Sequence, residues 1–254
     1  MQININITGL DAVKRQLGSM AKQATFAASK ALNTTAFAIN AELKNEMKSV
    51  FQGGATAYSL RAFKVDKASK VNLTATVSLR TDTAGASLAY SKAIGHMFTG
   101  GKRNYKKIEG LLRARQLLPS GLSIAPGRAM HLDRFGNMDK RQLNEIFAML
   151  IRRPSKMRTY RKTGAGKATK AVDYFVVRPG DRTRLHPGIY KRVETGKVSG
   201  FGVSSGIDDM MLFIKPVSYR QHIDLHKLGN KVVAKTFQPA FDKELAAALA
   251  SARS

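Results

Sequence analysis

Lys167 closes the run Thr163-Gly164-Ala165-Gly166-Lys167-Ala168, and a lysine beside glycines is how a phosphate-binding loop cradles a nucleotide. The required first glycine position holds Arg161, Ala168 stands where a Mg²⁺-binding Ser or Thr belongs, and no apolar strand precedes the run. A flexible basic loop is the expectation. His222 and His226 have the i, i+4 spacing of two zinc ligands on one helical face, but Ile223 occupies the place of the catalytic glutamate and no third ligand is evident. These two read as polar positions at a strand-to-helix junction. His96, beside Gly95, and His186, beside Pro187, are expected in loops, and His131 just before the turn that starts at Asp133. Gly202-Val203-Ser204-Ser205-Gly206 matches the letters of a nucleophile elbow without a buried strand before it or a helix after it, so a Ser/Gly-rich loop is expected. Asp208 and Asp209 are adjacent, which on a strand would point them to opposite faces and in a turn would leave both solvated. No enzyme, no cofactor and no metal site is expected from these residues. A nuclease would need clustered metal-binding carboxylates, and the acidic residues are few and spread.

Charge carries the stronger signal. The chain has 43 Lys and Arg against 17 Asp and Glu, a formal +26 over 254 residues. An excess of that size repels itself unless it meets a polyanion or an acidic protein surface. Two clusters concentrate it: Lys102, Arg103, Lys106 and Lys107 around Tyr105, and the segment 152–170 around Tyr160. The second has eight basic residues, Arg152, Arg153, Lys156, Arg158, Arg161, Lys162, Lys167 and Lys170, with no acidic one, and Pro154, Gly164 and Gly166 mark it as an exposed loop. Cations with an interleaved aromatic suit phosphate contacts plus stacking, and neither cluster matches a base-reading module. Binding independent of sequence is the expectation.

These clusters need a scaffold. With 43% apolar residues the chain can bury a core, and with no cysteine it must hold itself together by packing. Residues 1–10 alternate Gln2, Asn4 and Asn6 with Ile3, Ile5 and Ile7, which predicts a strand and not a signal peptide. No stretch approaches the ~18 to 20 apolar residues of a membrane span, so no membrane partner is expected. A helix is predicted over 11–22, and a longer one over 24–51 from Ala28, Leu32, Ala36, Ile39, Leu43, Met47 and Val50, ended by Gly53 and Gly54. Val71, Leu73, Ala75, Val77 and Leu79 predict a half-buried strand. A Gly-rich stretch over 95–101 then leads to a basic helix over 105–116 with Ile108, Leu111 and Leu112 as its apolar face. Asp139 and Gln142 have capping-box spacing before Leu143, Ile146, Phe147 and Leu150. Short strands follow over 174–178, 189–193 and 211–217, then a helix bearing Leu228, Val232, Val233, Phe241, Leu245 and Leu249, which Pro239 is expected to kink or split. The fold class is α+β, with long N-terminal and C-terminal helices packed on a mainly antiparallel sheet with extended basic loops. One domain spanning 1–254 is expected, with an exposed basic loop at 152–170.

The order of several short motifs adds a family. Gly9-Leu10-Asp11, Met20-Ala21-Lys22-Gln23, Ala31-Leu32-Asn33-Thr34-Thr35-Ala36, Leu118-Pro119-Ser120-Gly121, Asp133-Arg134-Phe135-Gly136-Asn137-Met138 and Pro187-Gly188-Ile189-Tyr190 together resemble the tailed-phage minor tail protein Z family over most of the chain. The resemblance implies a non-enzymatic virion protein at the neck or head-proximal end of the tail, acting in tail completion or joining to the DNA-filled head. Its implied partners are other phage neck and tail proteins, copies of itself in a ring of six-fold symmetry, and viral double-stranded DNA. The host cytoplasm during assembly and then the virion are its implied places. A sequence-independent nucleic-acid-binding protein outside any virion is the competing expectation.

Overall fold

The computed structural model describes residues 2–6, 21–51, 53–80, 90–152, 159–162, 169–195 and 204–251. In chain order the elements are β1 (Gln2–Asn6), α1 (Ala21–Val50), α2 (Ala57–Leu60), β2 (Phe63–Asp66), β3 (Thr74–Leu79), α3 (Tyr90–Thr99), β4 (Gly101–Lys102), α4 (Lys107–Ala114), β5 (Ser123–Pro126) and α5 (Lys140–Phe147). A π-helical turn, Ala148–Arg152, follows α5. Then come β6 (Thr159–Lys162), β7 (Thr169–Val177), β8 (Gly188–Thr195), β9 (Ser204–Ile214), β10 (Ser218–Tyr219) and α6 (Leu225–Ser251). This is the expected α+β class, with long helices near both ends of the chain and antiparallel sheets. Where one domain is expected from the sequence, the structure has two compact units: unit 1 is Met1–Arg103 with Ser218–Ser254, and unit 2 is Asn104–Val217.

Unit 1 is built on a three-stranded sheet in the order β1-β3-β2. Alternation puts Ile3, Ile5, Ala75, Val77 and Leu79 on its buried face, where they join Leu32, Ala36, Ile39, Leu43 and Met47 of α1 in one core. Each fully buried Leu or Ile here contributes about 1.5 to 3 kcal/mol from lost apolar exposure. The alanines at 24, 27, 28, 31 and 36 are fully buried, and α6 packs along α1, where Lys30 pairs with Glu244 at 2.9 Å. Asn33 ties α1 to the chain beyond β2, its amide donating to the Ala68 carbonyl and its carbonyl accepting from the Ala68 amide. Gly53 and Gly54, at φ 73° and 86°, turn the chain after α1 as expected.

Several expectations are corrected here. Val71 is 99% exposed and precedes β3, because the strand begins only where pairing to β1 begins, at Thr74. Gly95 and His96 lie inside α3, whose Tyr90, Ile94 and Phe98 bury one face, so apolar spacing overrides the glycine there. Helix α6 runs through Pro239 without being split into two. Most of the helix predicted over 11–22 lies outside the described residues.

Unit 2 is a five-stranded antiparallel sheet, β5-β9-β8-β7-β6, with α4 and α5. Its core joins Leu112, Leu118, Ile124, Ile146, Tyr174, Ile189 and Phe213 with four methionines, 130, 138, 210 and 211. Methionine adapts to irregular gaps, and one exists: Ile189 pairs with Met211 but Tyr190 with Asp209, so Met210 is the extra residue of a β-bulge. The bulge lets two consecutive residues, Met210 and Met211, both be fully buried. At Gly188 an added Cβ would lie 2.4 Å from the Met211 carbonyl oxygen. Gly188→Ala is therefore expected to push β8 off β9 and lower stability by about 1 to 3 kcal/mol, measurable as a drop in the urea midpoint.

The strands of unit 2 start earlier or run longer than the sequence suggests. Ser204, Ser205 and Gly206 belong to β9, not to a loop, and Asp208 and Asp209 lie within the same strand. Polar residues hold that strand because the register sets Asp208 opposite Lys191 and Asp209 opposite Tyr190. On α4, Leu112 is fully buried while Leu111 is exposed, so only part of the predicted apolar face meets the core. Asp139 caps α5 by accepting from the amides of Arg141 and Gln142. Gln142 does not return the bond of a capping box; its side chain instead accepts from the His131 amide and donates to the Ala129 carbonyl.

Candidate nucleic-acid interface

The first basic cluster is divided between the two units. Lys102 ends β4 and Arg103 follows it in unit 1, while Lys106 and Lys107 open α4 in unit 2, so the two pairs belong to different bodies. Lys102, Lys106 and Lys107 are exposed and Arg103 is partly so. Cations at a helix N-terminus work against the helix dipole, which makes Lys106 and Lys107 poor choices for stability alone. Glu109 offsets them. Its carboxylate accepts from the Lys106 amide at 2.8 Å and, from the other side, from the Ile124 amide of β5 at 2.9 Å. Glu109 is fully buried, which a lone acid among bases does not signal in the sequence.

Tyr105 is half exposed, as an interleaved aromatic should be, but the Arg113 guanidinium sits 3.6 Å above its ring. Arg113 also donates to the Leu122 carbonyl. One face of Tyr105 is thus taken by its own unit, and only the other remains for a base or a sugar.

The second cluster is not one loop. Arg152 ends the π-helical turn after α5, and Arg161 and Lys162 lie in β6, where Arg161 pairs with Lys170 and Lys162 with Thr169 of β7. Backbone pairing across the hairpin overrides the composition that suggested an unstructured segment. Arg153, Lys156, Arg158 and Lys167 lie outside the described residues, as do Thr163 to Ala168 of the near-miss phosphate loop.

The remaining chemistry-bearing residues fall apart in space. His222 precedes α6 and His226 lies in its first turn, so they do not share a helical face; the His222 amide donates to the Met97 carbonyl. Ser204 opens an eleven-residue strand, which is not the strand-to-helix turn an elbow requires. Asp209 accepts from the Arg128 amide and pairs with its guanidinium at 3.3 Å; these bonds hold its carboxyl below the usual range. Asp133 caps its own turn through the amides of Phe135 and Asn137. Among the described residues, no group of three or more His, Asp or Glu is placed to hold a metal ion, and no helix is long and apolar enough to cross a membrane.

His96 sits in an environment that shifts its titration. Its ring lies 4.8 Å from that of Tyr219, and its Nδ1 is buried without a partner. Desolvation lowers its pKa, and the positive charges of Arg103 and His222 lower it further. In the unfolded chain the same imidazole takes up its proton near pH 6.5. Between these values the unfolded state binds more protons, so stability falls as pH drops through about 6.5 toward the folded pKa. Urea midpoints between pH 5 and 8 should show this slope, and His96→Leu should reduce it.

Comparison with family models, with curated proteins and with solved structures finds no match. The family resemblance rests on the short motifs quoted above. Two of them prove to be local devices: Asp133 to Met138 is a tight turn closed by the Leu132–Met138 bridge, and Pro187 to Tyr190 opens β8. One further basic surface is not signalled by sequence composition. The β7–β8 loop carries Arg178, Arg182 and Arg184, and its Pro179-Gly180-Asp181 run reads as an ordinary turn.

Proposed function

We propose that this chain is a non-enzymatic structural protein of a tailed phage, acting at the neck or head-proximal end of the tail in tail completion or head–tail joining. It assembles with copies of itself in a ring, six-fold in symmetry, beside other neck and tail proteins, and turns its basic surface toward viral double-stranded DNA. The observation that carries this reading is the placement of the cations. Lys102, Lys106 and Lys107 are exposed, and two of them sit where a helix dipole disfavours them. A surface of exposed cations fits a partner that carries negative charge.

A ring of such chains needs an anionic counterpart, and packaged DNA supplies one without requiring base readout. The motif order that resembles the minor tail protein Z family supports that location. Locating the chain in purified particles tests it: it should co-purify with virions and label at the neck or the upper tail. A chain that binds duplex DNA in the cytoplasm and is absent from every particle would be the sequence-independent nucleic-acid-binding protein of the competing reading.

A further inference from the structure

The loop between β7 and β8 reads Arg178-Pro179-Gly180-Asp181-Arg182-Thr183-Arg184-Leu185-His186. Gly180 has φ 93°, and the Asp181 amide donates to the Arg178 carbonyl at 3.1 Å, which is a turn with Pro and Gly at its centre. The loop's polar side chains are used on its own backbone. Asp181 Oδ2 accepts from the Arg178 amide at 2.7 Å, and Thr183 Oγ1 accepts from the Leu185 amide at 3.2 Å. The Tyr190 hydroxyl donates to the His186 carbonyl at 2.7 Å, and the Phe213 amide donates to the Pro187 carbonyl at 2.9 Å, so the far end is anchored to β8 and β9.

What this ordered loop leaves outside is three guanidinium groups. Arg178, Arg182 and Arg184 are exposed, and among the described residues none pairs with a carboxylate. A guanidinium binds a phosphate through two parallel hydrogen bonds, and fixing the loop beforehand removes part of the ordering cost of binding. A protein partner would need a large apolar anchor at the centre of the contact, whereas Leu185 is partly buried and the loop's other apolar side chain is the small ring of Pro179. Phosphate contacts need no such anchor.

Resting on the DNA-facing reading above, we propose that the β7–β8 loop is a contact surface for the phosphate backbone of double-stranded DNA. It is separate from the 152–170 segment. Lys162 pairs with Thr169 at one end of β7, while Val177 pairs with Gly188 at the other. At about 3.3 Å per residue, the two ends of this strand lie roughly 26 Å apart.

The experiment uses the full chain and a 30-base-pair duplex, with affinity measured by fluorescence anisotropy over a range of KCl concentrations. The triple variant Arg178→Gln, Arg182→Gln, Arg184→Gln should lower the slope of log K against log salt by about 2 to 3, with unchanged circular dichroism. An unchanged slope in the triple variant, beside a salt-dependent wild type, would overturn the loop's role and leave the DNA reading standing. A wild type with no salt-dependent binding would sink the DNA reading itself. A triple variant that keeps its DNA slope but loses association with a neck or tail protein would make the loop a protein contact and overturn the proposal.

Two further variants separate loop order from charge. Asp181→Asn and Asp181→Ala remove the same charge, but only Asn keeps an acceptor for the Arg178 amide. The Asn variant should bind DNA more tightly than the Ala variant. Equal affinities would refute the ordered loop.

Discussion

Raising the salt concentration from 50 to 200 mM should weaken binding of this chain to duplex DNA by about 10³-fold, whatever the DNA sequence. Each phosphate neutralised by a Lys or Arg releases a condensed counterion, and the free energy of that release shrinks as bulk salt rises. Several such contacts together produce the steep dependence. Exchanging Arg152, Arg153, Lys156, Arg158, Arg161 and Lys162 for Gln together should flatten the slope and impair DNA retention or ejection. The β6–β7 pairing should survive, because it is made by backbone groups of residues 159–162 and 169–172 and not by the exchanged charges. The contrary result is specific: a variant with the wild-type salt slope that no longer joins a neck or tail would make the segment an assembly surface.

Glu109→Ala should lower the stability of unit 2 by about 2 to 5 kcal/mol, the largest single-residue effect expected in the chain. Glu109 is fully buried, and its two carboxylate oxygens accept from the amides of Lys106 and Ile124. Removing the carboxylate leaves both donors without their acceptor and also opens a void beside Leu112 and Ile124, which are core residues. Glu109→Gln keeps one oxygen acceptor, so its loss should be intermediate. The chain has no tryptophan, so far-ultraviolet circular dichroism is the suitable probe of urea unfolding. If the Ala variant matched the wild type, the brace between α4 and β5 would contribute nothing.

The elements most legible in the sequence were those whose burial is one-sided. Ala28 to Met47 recur at helical spacing because one stripe of α1 meets a sheet and a helix, and Ala75, Val77 and Leu79 alternate because one face of β3 is covered. Strand β9 was hidden because cross-strand partners sustain its polar start, and no local pattern encodes what lies opposite. The division into units was hidden for a similar reason. Lys102 pairs with Ser218 and Gly101 with Tyr219, a contact between residues far apart in sequence and only two pairs long.

The candidate surface was legible in composition but not in arrangement. Lys102 to Lys107 stand out as a cluster of charge, yet a unit boundary passes between Arg103 and Asn104. Arg178, Arg182 and Arg184 do not stand out as a cluster because Asp181 and the Pro-Gly pair dilute the run. They stand free of Asp181 because its carboxylate is used by the backbone, a tertiary detail that no local sequence pattern encodes.

The discontinuity of unit 1 sets a timetable for synthesis. Helix α1 leaves the ribosome early, but α6, which packs along it, is made only after Asn104–Val217 is complete. At about 5 to 20 residues per second that delay is roughly 10 to 35 s. Unit 2 is continuous in sequence and has every partner it needs within that window. Unit 1 must wait with part of its alanine-rich helix uncovered, which makes the nascent chain most dependent on chaperones in the interval before its last helix emerges.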